Sequence, residues 1–255
     1  MLDTIDMDLG SGFEKFRELR EEKIIPSSDI VLDNLLLGGF RKDFVHLIYG
    51  PTKITSKILL STCVNAQIIL SKNKPSNVHD IKVIYIDADN RFNPYKISKL
   101  AVKHRLSPKR ALENILISRA FTWEQVVELL QNKIRELQTI DVLLVSGITS
   151  MFEYEQVFYK GLWNALEGVN CVISEFNPYI VLTASREIYS RYKPKGGKAL
   201  QHFPSIHVHI SEEERKIYYS LIQHPFQAEQ TLSRMKAPKR KKQTDPRNQK
   251  LDAWL

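Results

Sequence analysis

The sequence predicts an α/β protein: a mostly parallel, twisted sheet with helices on both faces and a β-hairpin towards the C-terminus. Three observations predict it. Apolar runs such as "IKVIYIDAD", "DVLLVSGI" and "PYIVLTAS" lack polar alternation, as strands buried on both faces do. Segments of helical length and periodicity separate them, and connections of that length make neighbouring strands parallel. After Phe203 the pattern changes to two alternating strands around a charged turn, "SIHVHISEEERKIYYSLIQH", which reads as a hairpin.

The elements follow in order. "GFEKFRELREEK", residues 12–23, reads as a short charged helix with Phe13, Phe16 and Leu19 on one side. Pro26, Ser27, Ser28 and Asp29 form a cap or turn cluster before "IVLDNLLLGGF", a short helix stopped by Gly38 and Gly39. "DFVHLIYG" is a strand ending at Gly50, and residues 56–70 are a buried helix. "SNVHD" is a turn, and "NPYKISKLAVKHRL" is a helix with Pro94 near its start. "NILISRA" is a strand, and "TWEQVVELLQNKIRELQ" is one amphipathic helix capped by Thr122. In the hairpin, His207 and His209 share a strand face, half a metal site with no evident third ligand. From Gln227 the apolar content falls and the chain becomes "APKRKKQTDPRNQK", expected to be disordered. The expected organisation is an interaction segment over 1–23, a core over 24–226 and a basic tail over 227–255.

Composition narrows the function classes. The chain has 255 residues, 43% of them apolar, enough to bury the core of one large domain. No apolar run reaches the length of a membrane span, and the acidic N-terminus does not resemble a targeting peptide. The two cysteines, Cys63 and Cys171, are expected to be buried thiols in a reducing cytoplasm. Net charge is +8 and unevenly placed. Arg234 to Asp252 carries eight Lys/Arg against two Asp, Met1 to Asp29 four Lys/Arg against eight Asp/Glu, and the middle +6. A basic middle and tail suggest an anionic partner, nucleic acid above all.

"LIYGPTKITSKILL" has the rhythm of a phosphate-binding loop without its chemistry. A working loop reads GxxxxGK[ST]: glycine lets backbone N–H groups wrap the phosphates, lysine reaches them, and the hydroxyl holds Mg²⁺. With Gly50 as the first glycine, Thr55, Ser56 and Lys57 take the last three places. Pro51 removes a donor and Ile54 adds bulk. Lys53 or Lys57 would have to reach a phosphate from a new position.

Six segments in order resemble the RecA-type core of the archaeal RadA and eukaryotic strand-exchange recombinases. They are "GGFRKDFVHLIYGPTKITSKILL", "VIYIDADNRFNPYKI", "ILISRAFTWEQ", "LLVSGITSMF", "IVLTAS" and "KPKGGKALQHFPSIHVHI", spanning about residues 24–226. The resemblance implies a RecA-like core. The family's N-terminal helical domain has no counterpart here, which implies a short RadA paralog. It also assigns roles to positions. The metal-binding aspartate of the family falls on Ser146, the glutamate that activates water on Asp89, and the γ-phosphate-sensing glutamine near Ser185. With the loop, metal ligand, base and sensor positions all altered, the expectation is a pseudo-ATPase that needs no cofactor.

The family contacts single-stranded DNA through two loops. The second corresponds to "REIYSRYKPKGGKALQH", where Arg186, Arg191, Lys193, Lys195 and Lys198 interleave with Tyr189 and Tyr192. Cations can track phosphates while rings stack on bases. The first corresponds to Glu153–Lys160, "EYEQVFYK", mostly acidic and aromatic and a poor phosphate surface. The family's "GFxxA" docking segment resembles "GFEKF", with Phe13 retained and Phe16 in the alanine position, which implies an altered interface with a RadA-type recombinase or another paralog. The terminal "NQKLDAWL" resembles a sliding-clamp-binding peptide, with Leu251, Trp254 and Leu255 at the apolar places and Asn248, then Gln249, at the start. The reading is a non-catalytic paralog acting in homologous recombination and repair through single-stranded DNA and protein partners. An adaptor with the core as scaffold, and a weak ATPase with a relocated lysine, are the alternatives.

Overall fold

The computed structural model describes residues 23–71, 81–152, 155–190 and 192–236, without the side chains of 155–158. The chain runs α1 (Ile30–Leu35), β1 (Val45–Tyr49), α2 (Thr52–Ser71), β2 (Val83–Asp87), α3 (Pro94–Lys103), α4 (Pro108–Glu113) and β3 (Ile115–Arg119). It continues with α5 (Trp123–Gln131), a 3₁₀ turn (Lys133–Glu136), β4 (Val142–Ser146), α6 (Glu155–Phe176), β5 (Tyr179–Ala184), α7 (Gly197–His202), β6 (Ile206–Glu212), β7 (Lys216–Gln223) and β8 (Gln230–Met235). One eight-stranded sheet has the order β3-β2-β4-β5-β1-β6-β7-β8. Pairings from β3 through β6 are parallel, and β6–β7 and β7–β8 are antiparallel. This is the expected architecture, consistent with a RecA-like core.

Every residue of β1, β2, β4 and β5 is buried, because helices cover both faces of the sheet. One core packs α1 to α4 against one face; the other packs α5, α6 and α7 against the opposite face. Side-chain caps start the helices where the sequence places them. The Asp29, Asn93, Ser107 and Thr122 side chains accept backbone N–H groups at the first turns of α1, α3, α4 and α5. Helix α2 is long and apolar enough to cross a membrane by length and composition, but most of it is buried in the core.

Three expectations need correction. The folded chain does not stop at Phe226: β8 adds a third antiparallel strand. Its residues are mostly exposed, so no apolar pattern announces it. Backbone pairing and a polar cluster hold it instead. The Tyr219 hydroxyl donates to Asp29 at 2.6 Å, and Arg234 reaches the same carboxylate at 2.9 Å. The expected helix from Thr122 to Gln138 breaks after Gln131, where α6 crosses so closely that a Cβ on Gly168 would lie 2.8 Å from Leu130. The 3₁₀ turn then lets Ile134 rejoin the core. Cys63 is buried as expected, whereas Cys171 is half-buried. The helix of residues 12–23 except Lys23, the "SNVHD" turn and the tail from 237 lie outside the described residues.

Candidate nucleotide loop and nucleic-acid interface

Strands β1 and β5 are neighbours in the sheet, and the two candidate sites follow their adjacent C-terminal ends. At the end of β1, Gly50 has φ +141°, and any Cβ there would land on the Ile210 carbonyl oxygen of β6. Its glycine is required by the neighbouring strand as well as by the turn.

Helix α2 starts two residues later, at Thr52. The Ile54 and Thr55 amides donate to the Pro51 carbonyl at 2.9 and 3.2 Å. Residues aligned with the interior of a phosphate loop are therefore already helical, with N–H groups directed along the helix. Thr55 is buried and its hydroxyl donates to the Thr52 carbonyl at 3.3 Å; Ser56 is buried too. Lys53 and Lys57, one turn apart and exposed, line a groove of about 270 Å³ with Asp29, Glu212, Arg234 and Lys236. Neither Asp89 nor Ser146 lines it. The two lysines thus line a groove to which Asp89 and Ser146 do not contribute.

Asp89 and Ser146 are brought together. The Ser146 hydroxyl, at the end of β4, donates to Asp89 Oδ1 at 2.6 Å. Burial pushes the Asp89 carboxyl above the usual carboxylate range, the Ser146 bond partly opposes this, and Asp87 adds to it. Asp87, which the sequence reading passed over, is fully buried. It accepts the Arg91 and Phe92 amides at 2.8 and 3.1 Å and lies 3.6 Å from Arg119. It closes the turn after β2 and positions Asp89; its place as the last residue of a buried strand was the available signal. Ser185, near the expected sensor position, accepts the Lys195 amide at 2.8 Å and opens the next loop.

That loop is a small hairpin. Arg186 and Pro194 form an antiparallel bridge, and the Glu187 amide donates to Lys193 at 2.8 Å. Its base is anchored: the Tyr49 hydroxyl donates to the Tyr192 carbonyl, and the Tyr192 ring meets His209 edge-on at 5.7 Å. Its tip is open, with Ile188 79% and Tyr189 96% exposed. Arg186, Lys193 and Lys198 are exposed and Lys195 is half-buried; Arg191 lies outside the described residues. Of the two tyrosines, Tyr189 is the free ring, and Tyr192 is partly engaged.

Two aromatics that sequence reasoning missed lie on α6. Tyr159 and Trp163, one turn apart, are 60% and 63% exposed, and Tyr159 packs beside Gly197 at the start of α7. They fall in and just beyond the segment read as mostly acidic and aromatic and set aside as a poor phosphate surface; the i, i+4 aromatic pair was the signal. His207 and His209 are both buried, and no group of three metal-binding side chains occurs among the described residues. His207 bonds the Pro204 carbonyl and His209 stacks on Tyr49, so both are core groups. At the far edge of the sheet, β3 exposes Leu116 and Ile117. The predicted partner-binding residues Phe13, Phe16, Asn248, Gln249, Leu251, Trp254 and Leu255 lie outside the described residues.

Residues 21–162, more than half of the chain, match the family model described as Rad51. The chain is similar to the meiotic recombination protein DMC1 homolog of Arabidopsis thaliana, 27% identical over 198 residues, covering 69% of this chain and 55% of that protein. It is similar to the DNA repair and recombination protein RadA of Metallosphaera sedula, 29% identical over 166 residues, covering 64% and 49%. RadA of Methanococcus maripaludis is 24% identical over 165 residues, covering 60% and 51%. The chain spans about half the length of the curated relatives it matches.

Proposed function

This chain belongs to the Rad51 family, and from that premise we propose that it is a non-catalytic paralog acting in homologous recombination and DNA repair by binding single-stranded DNA and partner proteins. The observation that carries the reading is the start of α2. Phosphoryl transfer in this class depends on positioning and on stabilising charge. Here the Ile54 and Thr55 amides are bonded within the first turn of a helix, and the lysines face a groove lined by neither Asp89 nor Ser146. The Ser146 hydroxyl bonds Asp89, where the family resemblance expects a metal-ligand carboxylate beside a base. These residues do not fit a nucleoside triphosphate with Mg²⁺.

What the geometry favours is a single strand lying across the hairpin. The exposed Tyr189 ring would stack on a base, and Arg186, Lys193 and Lys198 would meet phosphates. Tyr159 and Trp163 extend the aromatic surface beside it. Partner binding is supported by the open β3 edge with its exposed Leu116 and Ile117. The same edge favours the second reading, an adaptor whose core is a scaffold. The proposal includes docking through Phe13 and Phe16 and attachment to a sliding clamp through Leu251, Trp254 and Leu255; Trp254→Ala should then abolish clamp binding.

The test is fluorescence anisotropy of a labelled single-stranded oligonucleotide against the chain ending at Lys236, which keeps β8, with and without Mg-ATP. Binding that ignores ATP is expected. Binding that requires ATP, or turnover lost on Lys53→Ala or Lys57→Ala, would replace the reading with a weak ATPase. No binding would leave the adaptor.

A further inference from the structure

Besides the hairpin's cations, the middle of the chain holds a second concentration of positive charge. Residues 91–114 contain seven Lys/Arg against a single acidic residue, Glu113. All seven cations are exposed. They lie on α3, α4 and the turns beside them, and the two helices pack together against the core that holds α2.

On α3 the charges are arranged. Ile97 and Ala101 bury one side of the helix. Lys96, Lys99 and Lys103, at i, i+3 and i+7, share another, a stripe about 10 Å long. Like charges at these spacings destabilise a helix in isolation, so the pattern works against local stability. Arg105 continues the surface with φ +60°, and Lys109 pairs only loosely with Glu113, at 3.9 Å on the surface.

The patch differs from the hairpin in its rings. Of the two aromatics in residues 91–114, Phe92 packs on Tyr85 and Tyr95 alone stands exposed. A single strand calls for stacking platforms as well as charge; a duplex, with its bases stacked inside, offers phosphates. The hairpin, moreover, is anchored through Tyr49, which belongs to the core on the opposite face of the sheet.

We propose that the α3–α4 surface is a second nucleic-acid site, which contacts the phosphate backbone of duplex DNA without reading sequence, through the Lys96–Lys99–Lys103 stripe. The charge and exposure of residues 91–114 carry it, and it stands whether or not the hairpin binds a single strand.

The experiment measures affinity of the full chain for a labelled duplex and for a single strand of the same length across a salt series. The parent is compared with Lys96→Gln/Lys99→Gln/Lys103→Gln, with Lys99→Gln alone, and with Tyr189→Ala, thermal melts confirming the fold. The triple variant should bind duplex at least about tenfold more weakly at low salt, and its log–log salt slope should fall by about 3; Lys99→Gln should lower the slope by about 1. The basic tail is common to every variant, so the difference belongs to the stripe. Tyr189→Ala should leave duplex binding unchanged. Duplex affinity and slope equal to the parent's would overturn the proposal, as would an equal loss on both nucleic acids. Retained duplex binding with lost self-association would instead assign the stripe to an acidic protein segment. A parent that binds duplex through the stripe but no single strand would defeat the hairpin reading and leave this one standing.

Discussion

Two loops leave the same end of the sheet, from neighbouring strands, and they have opposite characters. After β1, donors are used within the protein, the Ile54 and Thr55 amides by the first turn of α2 and the Thr55 hydroxyl by its own helix, and at the end of β4 the Ser146 hydroxyl bonds Asp89. After β5, the base of the hairpin is tied by backbone bonds and by Tyr49, and Arg186, Lys193, Lys198 and the Tyr189 ring face solvent. A loop whose donors are satisfied within the protein has little left for a ligand; a loop anchored at its base and open at its tip presents groups without having to order them first. The loop after β1 is thus tied into its helix at Ile54 and Thr55, and the hairpin beside it holds an exposed ring at its tip.

The comparison can be broken at either loop. The largest effect is expected from Gly50→Ala, which forces a side chain onto the Ile210 carbonyl at a positive φ. Chemical denaturation should show a loss of about 4 kcal/mol, with single-strand affinity per folded molecule unchanged. A loss below ~1 kcal/mol would mean that β6 is not tightly seated on this turn.

Next comes the strand that leads into the loop. His46 in β1 is buried, and burial holds its pKa down at about 4 although the Ile180 carbonyl bond opposes this. The unfolded chain takes up the proton near the ordinary value of 6.5 and the folded chain does not. Stability from this group is therefore intact above pH 6.5, falls through the window down to pH 4 and is fully lost below it. The loss amounts to about 3 kcal/mol. Urea melts across that window measure it. Asp89, with a raised pKa, acts in the opposite sense, since its folded form binds the proton more readily. A His46→Gln chain should show a smaller fall, and an equal fall would move the effect elsewhere.

At the hairpin, Tyr189→Ala should weaken single-strand binding by about 2 kcal/mol, roughly thirtyfold, and leave stability within about 0.5 kcal/mol. Unchanged affinity would remove the ring from the interface. The smallest effect is expected at Ser146→Ala, which leaves Asp89 without its hydroxyl donor. About 1.5 kcal/mol of stability should be lost, with no change in affinity for a single strand. A drop in that affinity would show that the two loops are coupled.

Most of the fold was legible because it rests on local, repeated signals. The buried strands appear as uninterrupted apolar runs, and the caps at Asp29, Asn93, Ser107 and Thr122 stand immediately before their helices. β8 was not legible, because an exposed edge strand held by backbone bonds and by Asp29, nearly the whole domain away in sequence, leaves no apolar period. The break in α5 was hidden for a related reason: α6, whose Gly168 packs against Leu130 at that point, lies more than thirty residues further on.

The site divides the same way. By itself the sequence determined that the GxxxxGK[ST] pattern is incomplete and that cations and tyrosines alternate after β5. Residue identity is sufficient for those statements. Only the tertiary structure decided that α2 begins early enough to absorb the loop, that Ser146 and Asp89 bond each other, and that Lys53 and Lys57 face a groove neither of them lines. It also left all seven cations of residues 91–114 exposed, with the Lys96–Lys99–Lys103 stripe set apart from the buried Ile97 and Ala101. Hydrogen-bond partners and shared surfaces depend on which strands and helices come to lie side by side, and that is set by packing of the whole core rather than by any short stretch of sequence.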